Sequence, residues 1–314
     1  METKIRITVL TPSYNKGKTI KRTFDSLLKQ TCYNFEWLIV NDGSTDNSLE
    51  QIKSFRTDKF VIRYIDKANE GLNRTWNLGV REAHSNLIMR VDPDDYLTED
   101  AIEQVLKYQE QIENDEGLCS VAFLTKYSNG QVVGFHPFSD VYRTNFIDYR
   151  VKYKAKGDRM EIMKRDVLLK YPMPEIEGEK FCMESVMQQN IALSYDALYV
   201  PYPIYIREYN EDSITSSLTK IMRNNPKGSL LVYSQYIKIL LGKRREGVNV
   251  DYELLTNVIN YYRFGFCSFT EMLRKSREIP FLLSCIGILP ALFFYIVDSL
   301  HPDLVGQMVK KLKK

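Results

Sequence analysis

Along the first hundred residues the apolar positions switch repeatedly between strand and helix spacing. Residues 5–11, I-R-I-T-V-L-T, form a β-branched run ended by Pro12, as a buried strand would be. Ile20, Phe24, Leu27 and Leu28 then recur at helical spacing, which predicts a helix over 19–30. A second strand, 35–40, stops at Asn41-Asp42-Gly43, and strands over 60–65 and 87–91 bracket a helix over 72–83. Thr98 reads as the cap of a helix running to Asn114, with Glu99 and Asp100 in its first turn. Strands alternating with helices in this way predict an α/β architecture, a parallel sheet with helices on both faces.

Ligands of such sheets bind beyond the carboxyl ends of the strands, and three polar clusters fall there. They are Thr11-Pro12-Ser13-Tyr14-Asn15, Asn41-Asp42-Gly43-Ser44 and Asp92-Pro93-Asp94-Asp95. One acidic turn is commonplace; convergence of all three on one rim is the physical argument for a site.

Three carboxylates in the turn 92–95 repel one another unless a positive charge sits among them. Mg²⁺ or Mn²⁺ suits such a turn, since it takes one or two protein carboxylates and completes its shell with phosphate oxygens and water. Taken alone, D-P-D-D is equally a solvated turn ahead of a helix. The segment 42–48, D-G-S-T-D-N-S, fails as an EF-hand loop because Asn47 stands where glycine is needed and Lys53 where a bidentate glutamate is needed. A phosphoaspartate or an adhesion-type metal loop would use Asp42 but leave the other two clusters unexplained.

Beyond residue 118 the pattern is less regular, with strand-like pieces at 121–125, 132–135 and 198–206 and a helical stretch over 179–193. Helices are expected near 230–241 and 252–264. Residues 279–297 form an uncharged run of about 28 Å as a helix, barely enough to cross a bilayer. Pro280 and Pro290 interrupt it, and Arg274, Lys275 and Arg277 precede it; Lys310, Lys311, Lys313 and Lys314 follow. A helical hairpin or an interfacial segment on an anionic leaflet fits this arrangement, with a buried core hairpin and a single crossing as the alternatives.

A net charge of +3 offers no case for nucleic acid, and 44% hydrophobic residues exclude general disorder. Five scattered cysteines without a CxxC pair fit free thiols in a reducing compartment. No signal-peptide pattern opens the chain, so the catalytic half is expected on the cytosolic side. The expected organisation is a domain over 1–215, with a nucleotide-binding half at 1–100 and an acceptor half at 101–215. A helical region over 216–314 follows, carrying the membrane-associating segment 279–297.

The runs I-T-V-L-T-P-S-Y-N-K (7–16), E-W-L-I-V-N-D-G-S-T-D-N-S (36–48), N-E-G-L-N-R-T-W-N-L-G-V (69–80) and R-V-D-P-D-D-Y (90–96) resemble, in order and spacing, the signatures of family 2 glycosyltransferases. The resemblance is specific over the first hundred residues and weaker to about residue 215. It implies the GT-A fold, a Rossmann-like, mostly parallel sheet flanked by helices, and an inverting, metal-dependent sugar transfer of the bacterial surface-polysaccharide type. It further implies a nucleotide-sugar donor, a UDP-sugar above all, a glycan or lipid-linked acceptor, and work at the inner face of the cytoplasmic membrane. Carried over by position, Pro12 and Tyr14 flank the base, Thr11 is a further donor-binding candidate beside them, and Asp42 accepts a hydrogen bond from the base. Asn69 and Asn73 lie near the ribose or diphosphate, Asp92 faces ribose and metal, and Asp94 binds Mn²⁺ or Mg²⁺. Trp76 departs from the family's usual arginine, and Arg74 is the candidate to replace that charge. In G-E-K-F-C-M-E-S (178–185) Glu184 is the expected general base, with Glu179 second and Ser185 where the family often has aspartate. A nucleotidyltransferase and a non-catalytic nucleotide- or sugar-binding module stand as rivals. The first would usually show a glycine- and Lys/Arg-rich phosphate loop where this chain has Thr-Pro-Ser-Tyr-Asn.

Overall fold

The computed structural model describes residues 5–208 and 214–300. In chain order it opens with β1 (Ile7–Ser13), α1 (Ile20–Leu28), β2 (Phe35–Asp42), α2 (Ser48–Ser54), β3 (Val61–Lys67), α3 (Leu72–Glu82) and β4 (Leu87–Arg90). There follow β5 (Tyr96–Leu97), α4 (Ala101–Leu106), α5 (Gln109–Asn114), β6 (Leu118–Tyr127), β7 (Tyr142–Thr144), α6 (Phe146–Val151), β8 (Arg159–Lys164), α7 (Arg165–Lys170), α8 (Ser185–Ile191) and β9 (Asp196–Arg207). Five helices complete the described chain: α9 (Ile214–Asn224), α10 (Pro226–Arg245), α11 (Asp251–Gly265), α12 (Phe269–Ser276) and α13 (Phe281–Leu300).

The described strands form one mixed sheet in the order β3-β2-β1-β4-β8-β6-β9-β5, with β7 added on β9. Strands β1, β2, β3 and β4 pair in parallel. β8 enters antiparallel between β4 and β6. Every residue of β1 and β2 is buried, because helices cover both faces of these central strands. β3, at the edge, is largely solvent-facing. On one face Phe24 of α1 stacks on Trp37 of β2 and on Phe55 at 4.5 Å. This aromatic layer fixes α1 over the sheet, and with it the loop that leads from β1.

Strand order reverses at β1, with β2 and β3 on one side and β4 on the other. In doubly wound sheets ligands bind at such a reversal, in the crevice beyond the carboxyl ends of the strands.

Several boundaries differ from those the sequence predicts. The helix expected over 98–114 is broken at 107–108 into α4 and α5, and Thr98 does not cap it. The Thr98 amide instead donates to Ile204 O, so the residue ends a turn docked on β9. The piece 132–135 makes only isolated bridges, and the helix expected over 179–193 shrinks to α8. α2, β5, α6, β8 and α7 have no counterpart in the apolar pattern. All five cysteines are free, as expected.

By packing, the chain divides into two compact units, Met1–Met173 with Asn190–Tyr209, and Pro174–Gln189 with Asn210–Lys314. The segment carrying Glu179 and Glu184 thus packs with the C-terminal helices.

Candidate active site

The β1 and β2 loops are sewn together by side chains accepting from backbone. Asn15 N donates to Ser44 Oγ, Lys16 N to Ser48 Oγ at 2.7 Å, and Gly17 N to Asp46 Oδ2. In return Asn15 Oδ1 accepts from the Thr45 amide. Asn15 turns through a left-handed conformation, φ 52°, which asparagine tolerates better than most residues. Gly17 is closely approached by the second loop, since a Cβ there would lie 2.9 Å from the Ser48 backbone nitrogen.

Of the residues expected to frame the base, Pro12 is buried and Tyr14 is 47% exposed on the rim of this loop pair. Thr11 sits differently. Its side chain is fully buried and its hydroxyl accepts from Trp37 Nε1 at 2.9 Å, so it braces β1 against β2 rather than facing the crevice.

Asp42, at the end of β2, is buried and heavily bonded. Oδ1 accepts from Lys67 Nζ at 2.7 Å and from the Glu70 amide. Oδ2 accepts from the Gly71 amide and from Asn69 Nδ2. Burial by itself would raise this carboxyl, but the bonds from Lys67, Glu70, Thr75 and Gly71 outweigh it and hold the group below the usual carboxylate range. Asp42 thereby fixes the 67–71 loop and the start of α3. Asn69 also donates to the Asp42 carbonyl, Asn73 is buried on α3, and Arg74 reaches back to Glu70 O. Trp76 is buried as well, and the neighbouring Asn77 exchanges hydrogen bonds with the Met173 backbone in both directions.

In the acidic turn the three carboxylates have separate surroundings. Asp95 is buried, accepting from Tyr205 Oη at 2.9 Å and from the Glu208 amide. Burial, and next the charge of Asp92, push it up to about 7. Asp92 and Asp94 lie nearer solvent and each carries a cation, Arg90 Nε at 2.8 Å from Asp92 and Lys16 Nζ at 2.5 Å from Asp94. A turn that has gathered two side-chain cations is a turn with surplus negative charge, and its free donors are hard oxygens. Both properties fit Mg²⁺ or Mn²⁺. Among the described residues no group of three or more acidic, histidine or cysteine side chains is placed to hold a metal. Asp92 and Asp94 would thus supply the protein's share, with phosphate and water oxygens completing the shell.

The downstream glutamates differ as sharply. Glu179 is 8% exposed, and its two oxygens accept from the Lys227 and Gly228 amides at 2.7 and 2.8 Å. It closes the N-terminus of α10, a capping task that holds both oxygens. Glu184 is exposed immediately before α8.

Lys16 and Arg90 were not among the residues singled out from sequence. The demand for positive charge within 92–95 was legible, but its source in a loop 78 positions earlier was not.

Residues 8–158 match the family model described as glycosyl transferase family 2. This segment is a family 2 glycosyltransferase domain. The match takes in the β1, β2 and β4 loops. The glycosyltransferase GlyA of Streptococcus pneumoniae is 34% identical over 146 residues, 46% of this chain and 20% of that protein. Chondroitin synthase of Pasteurella multocida is 40% identical over 101 residues, 32% of this chain and 10% of that synthase. The chain thus spans a fifth or less of the length of these relatives. Among solved structures, Staphylococcus aureus TarS 1–349 in complex with UDP superposes with a TM-score of 0.58 at 16% identity, covering 94% of this chain and 91% of that one. The mannosyltransferase PcManGT of Pyrobaculum calidifontis, in complex with GDP-Man and Mn²⁺, gives 0.56 at 14% identity, with 96% and 88% covered. At these identities the likeness is one of fold, and the fold is GT-A.

Proposed function

We propose that this chain transfers a sugar, with inversion, from a nucleoside-diphosphate sugar to a hydroxyl of a glycan or lipid-linked saccharide in surface-polysaccharide synthesis. The observation that carries the proposal is the Lys16–Asp94 ion pair, which joins the β1 and β4 loops across the point where strand order reverses. A nucleoside held by one loop and a diphosphate held at the other would lie along that line.

In this reading Pro12 and Tyr14 frame the base, a uracil by preference since a UDP complex is known for a fold neighbour. Asp42, with both oxygens committed, acts by holding the 67–71 loop and Asn69 in place, and contacts the base only if one of those bonds is given up. Asn73 and Arg74 serve the ribose and diphosphate side. Asp92 and Asp94 hold Mn²⁺ or Mg²⁺, which when bound supplies charge neutralisation for the departing diphosphate. Glu184, exposed to solvent, takes the acceptor proton, while both oxygens of Glu179 serve the N-terminus of α10. The acceptor side lies at the inner face of the cytoplasmic membrane, a reading supported by the apolar helix α13.

Calorimetry with UDP, GDP and their sugars, with and without Mn²⁺, followed by a transfer assay on the donor that binds, is the direct test. Absence of binding by every nucleoside diphosphate refutes the proposal. Binding without turnover across donors and acceptors would favour a non-catalytic module.

A further inference from the structure

Helix α13, Phe281–Leu300, wears its hydrophobicity on the outside. Phe281, Leu282, Ile286, Leu289, Phe293, Ile296 and Leu300 are all exposed, with Phe281 at 84%, Leu289 at 73% and Leu300 at 69%. The inward stripe is Gly287, Ala291 and Asp298, spaced so that they share one face. This is the reverse of a soluble helix, whose apolar stripe faces the core. Only 17% of its most apolar window is buried.

The inward face is clamped by polar contacts. Arg263 of α11 grips Asp298 with two nitrogens, at 2.6 and 2.7 Å, and both residues are buried. Arg223 of α9 adds a second cation to Asp298 and bonds Tyr295 O and Ser299 Oγ. Tyr262 of α11 donates to Ser284 Oγ near the other end, and Gly287 admits Val258 so closely that a Cβ there would lie 2.6 Å from it. Leaving α11 to cross a bilayer alone would strip Asp298 and Arg263 of each other, an expensive step in a low-dielectric medium.

We infer that α13 is a fixed in-plane docking helix: held by the Arg263–Asp298 clamp, it lays its apolar arc along its whole length into the interface of an anionic bilayer, without spanning it. Exposure at both ends, Phe281 and Leu300, marks a helix that lies flat, since a dipping tip would need apolar residues at one end alone. The arc itself carries no charged side chain; Arg277 is exposed just ahead of it, as is Arg274, which is ion-paired with Glu271. An exposed apolar helix face with a cationic flank suits anionic headgroups, each cation near the surface adding about fivefold to partitioning. The lysines at 310, 311, 313 and 314 would add to this charge but lie outside the described residues. The inference specifies how the proposed transferase meets its membrane, and it stands or falls separately from the transfer chemistry.

The test is flotation of the full chain with preformed vesicles of phosphatidylglycerol and phosphatidylethanolamine, beside vesicles of phosphatidylcholine. Strong flotation on the anionic vesicles is expected, several-fold weaker on the neutral ones. The double substitution Leu289→Glu, Phe293→Glu should cut partitioning by more than about tenfold, with the thermal midpoint and nucleotide binding unchanged. An environment-sensitive label on Cys285, an exposed residue of the same helix, should shift to the blue when vesicles are added, with Cys285→Ser as the blank; this readout does not depend on the double variant folding. A protease site appended after Lys314 should stay cleavable from outside. Protection of that site would show a crossing and overturn the in-plane assignment. Equal flotation of the double variant, no preference for anionic vesicles, or no flotation together with a dimer that the variant dissolves would also overturn it. Loss of sugar transfer with flotation intact would count against the transferase reading alone.

Discussion

Lys16 Nζ lies 2.5 Å from Asp94 Oδ2 and ties the loop after β1 to the turn after β4. The backbone around Lys16 is pinned by the Asn15, Lys16 and Gly17 amides, so the four-carbon stem is the part that can swing. Two residues before it is the exposed ring of Tyr14. In the proposed function this hinged cation, resting on a metal-ligand candidate, is the one a diphosphate would meet.

Lys16→Met should therefore move two affinities in opposite directions. Mn²⁺ alone should bind more tightly, because it no longer competes with the ammonium for Asp94. Nucleoside diphosphate should bind about tenfold more weakly, the value of one charge-assisted contact. Calorimetry of each ligand separately checks both; parallel changes would show that the lysine has only a structural role.

Asp94→Asn should lower transfer by about a hundredfold or more, a typical loss when one element of transition-state charge stabilisation is removed. EDTA should do the same to the unaltered chain, reversibly on adding Mn²⁺. The thermal midpoint should hardly change, since Asp94 sits at the rim. Full turnover in both experiments would remove the metal from the mechanism.

The two glutamates of 179–184 should separate by phenotype. Glu184→Gln should keep donor binding and reduce transfer by about 10² to 10⁴, the usual worth of a general base. Glu179→Ala should instead cost about 1–3 kcal/mol of stability, because it leaves the first amides of α10 unpaired. Thermal denaturation beside the transfer assay separates them, and a stable but inactive Glu179 variant would transfer the role of base to it.

Acid sensitivity should centre on His136. Burial first, and then the charge of Arg159, hold its imidazolium down to about 4, against an ordinary value of 6.5. The unfolded chain therefore takes up the proton more readily than the folded one. The contribution of His136 is complete above about 6.5 and is lost as the pH falls toward 4. Denaturation midpoints measured across that interval should decline, and His136→Phe should flatten the decline attributable to this residue.

The sequence by itself settled β1, α1, β2, β3, α3 and β4 in the first hundred residues, though not α2 or β5, and where the polar ends of those strands lie. Residues of β1, β2, β3 and β4 alternate with helical periods strongly enough to give the parallel unit, and four ordered motifs carry the family. Those signals are local, written within a few residues of one another. What only the tertiary structure decided are partnerships between distant positions. Thr11 is taken up by Trp37, Asp42 by the 67–71 loop, Asp95 by Tyr205, Glu179 by α10 and Asp94 by Lys16. A carboxylate has the same letter whether it faces solvent, a cation or a helix end. Its role follows from the donors that folding brings within hydrogen-bond reach. The same holds for 279–297, whose composition left crossing, hairpin and surface helix all open. The structure shows one helix there, held by a buried aspartate to the arginine of the helix beside it, and the in-plane placement proposed above rests on that contact.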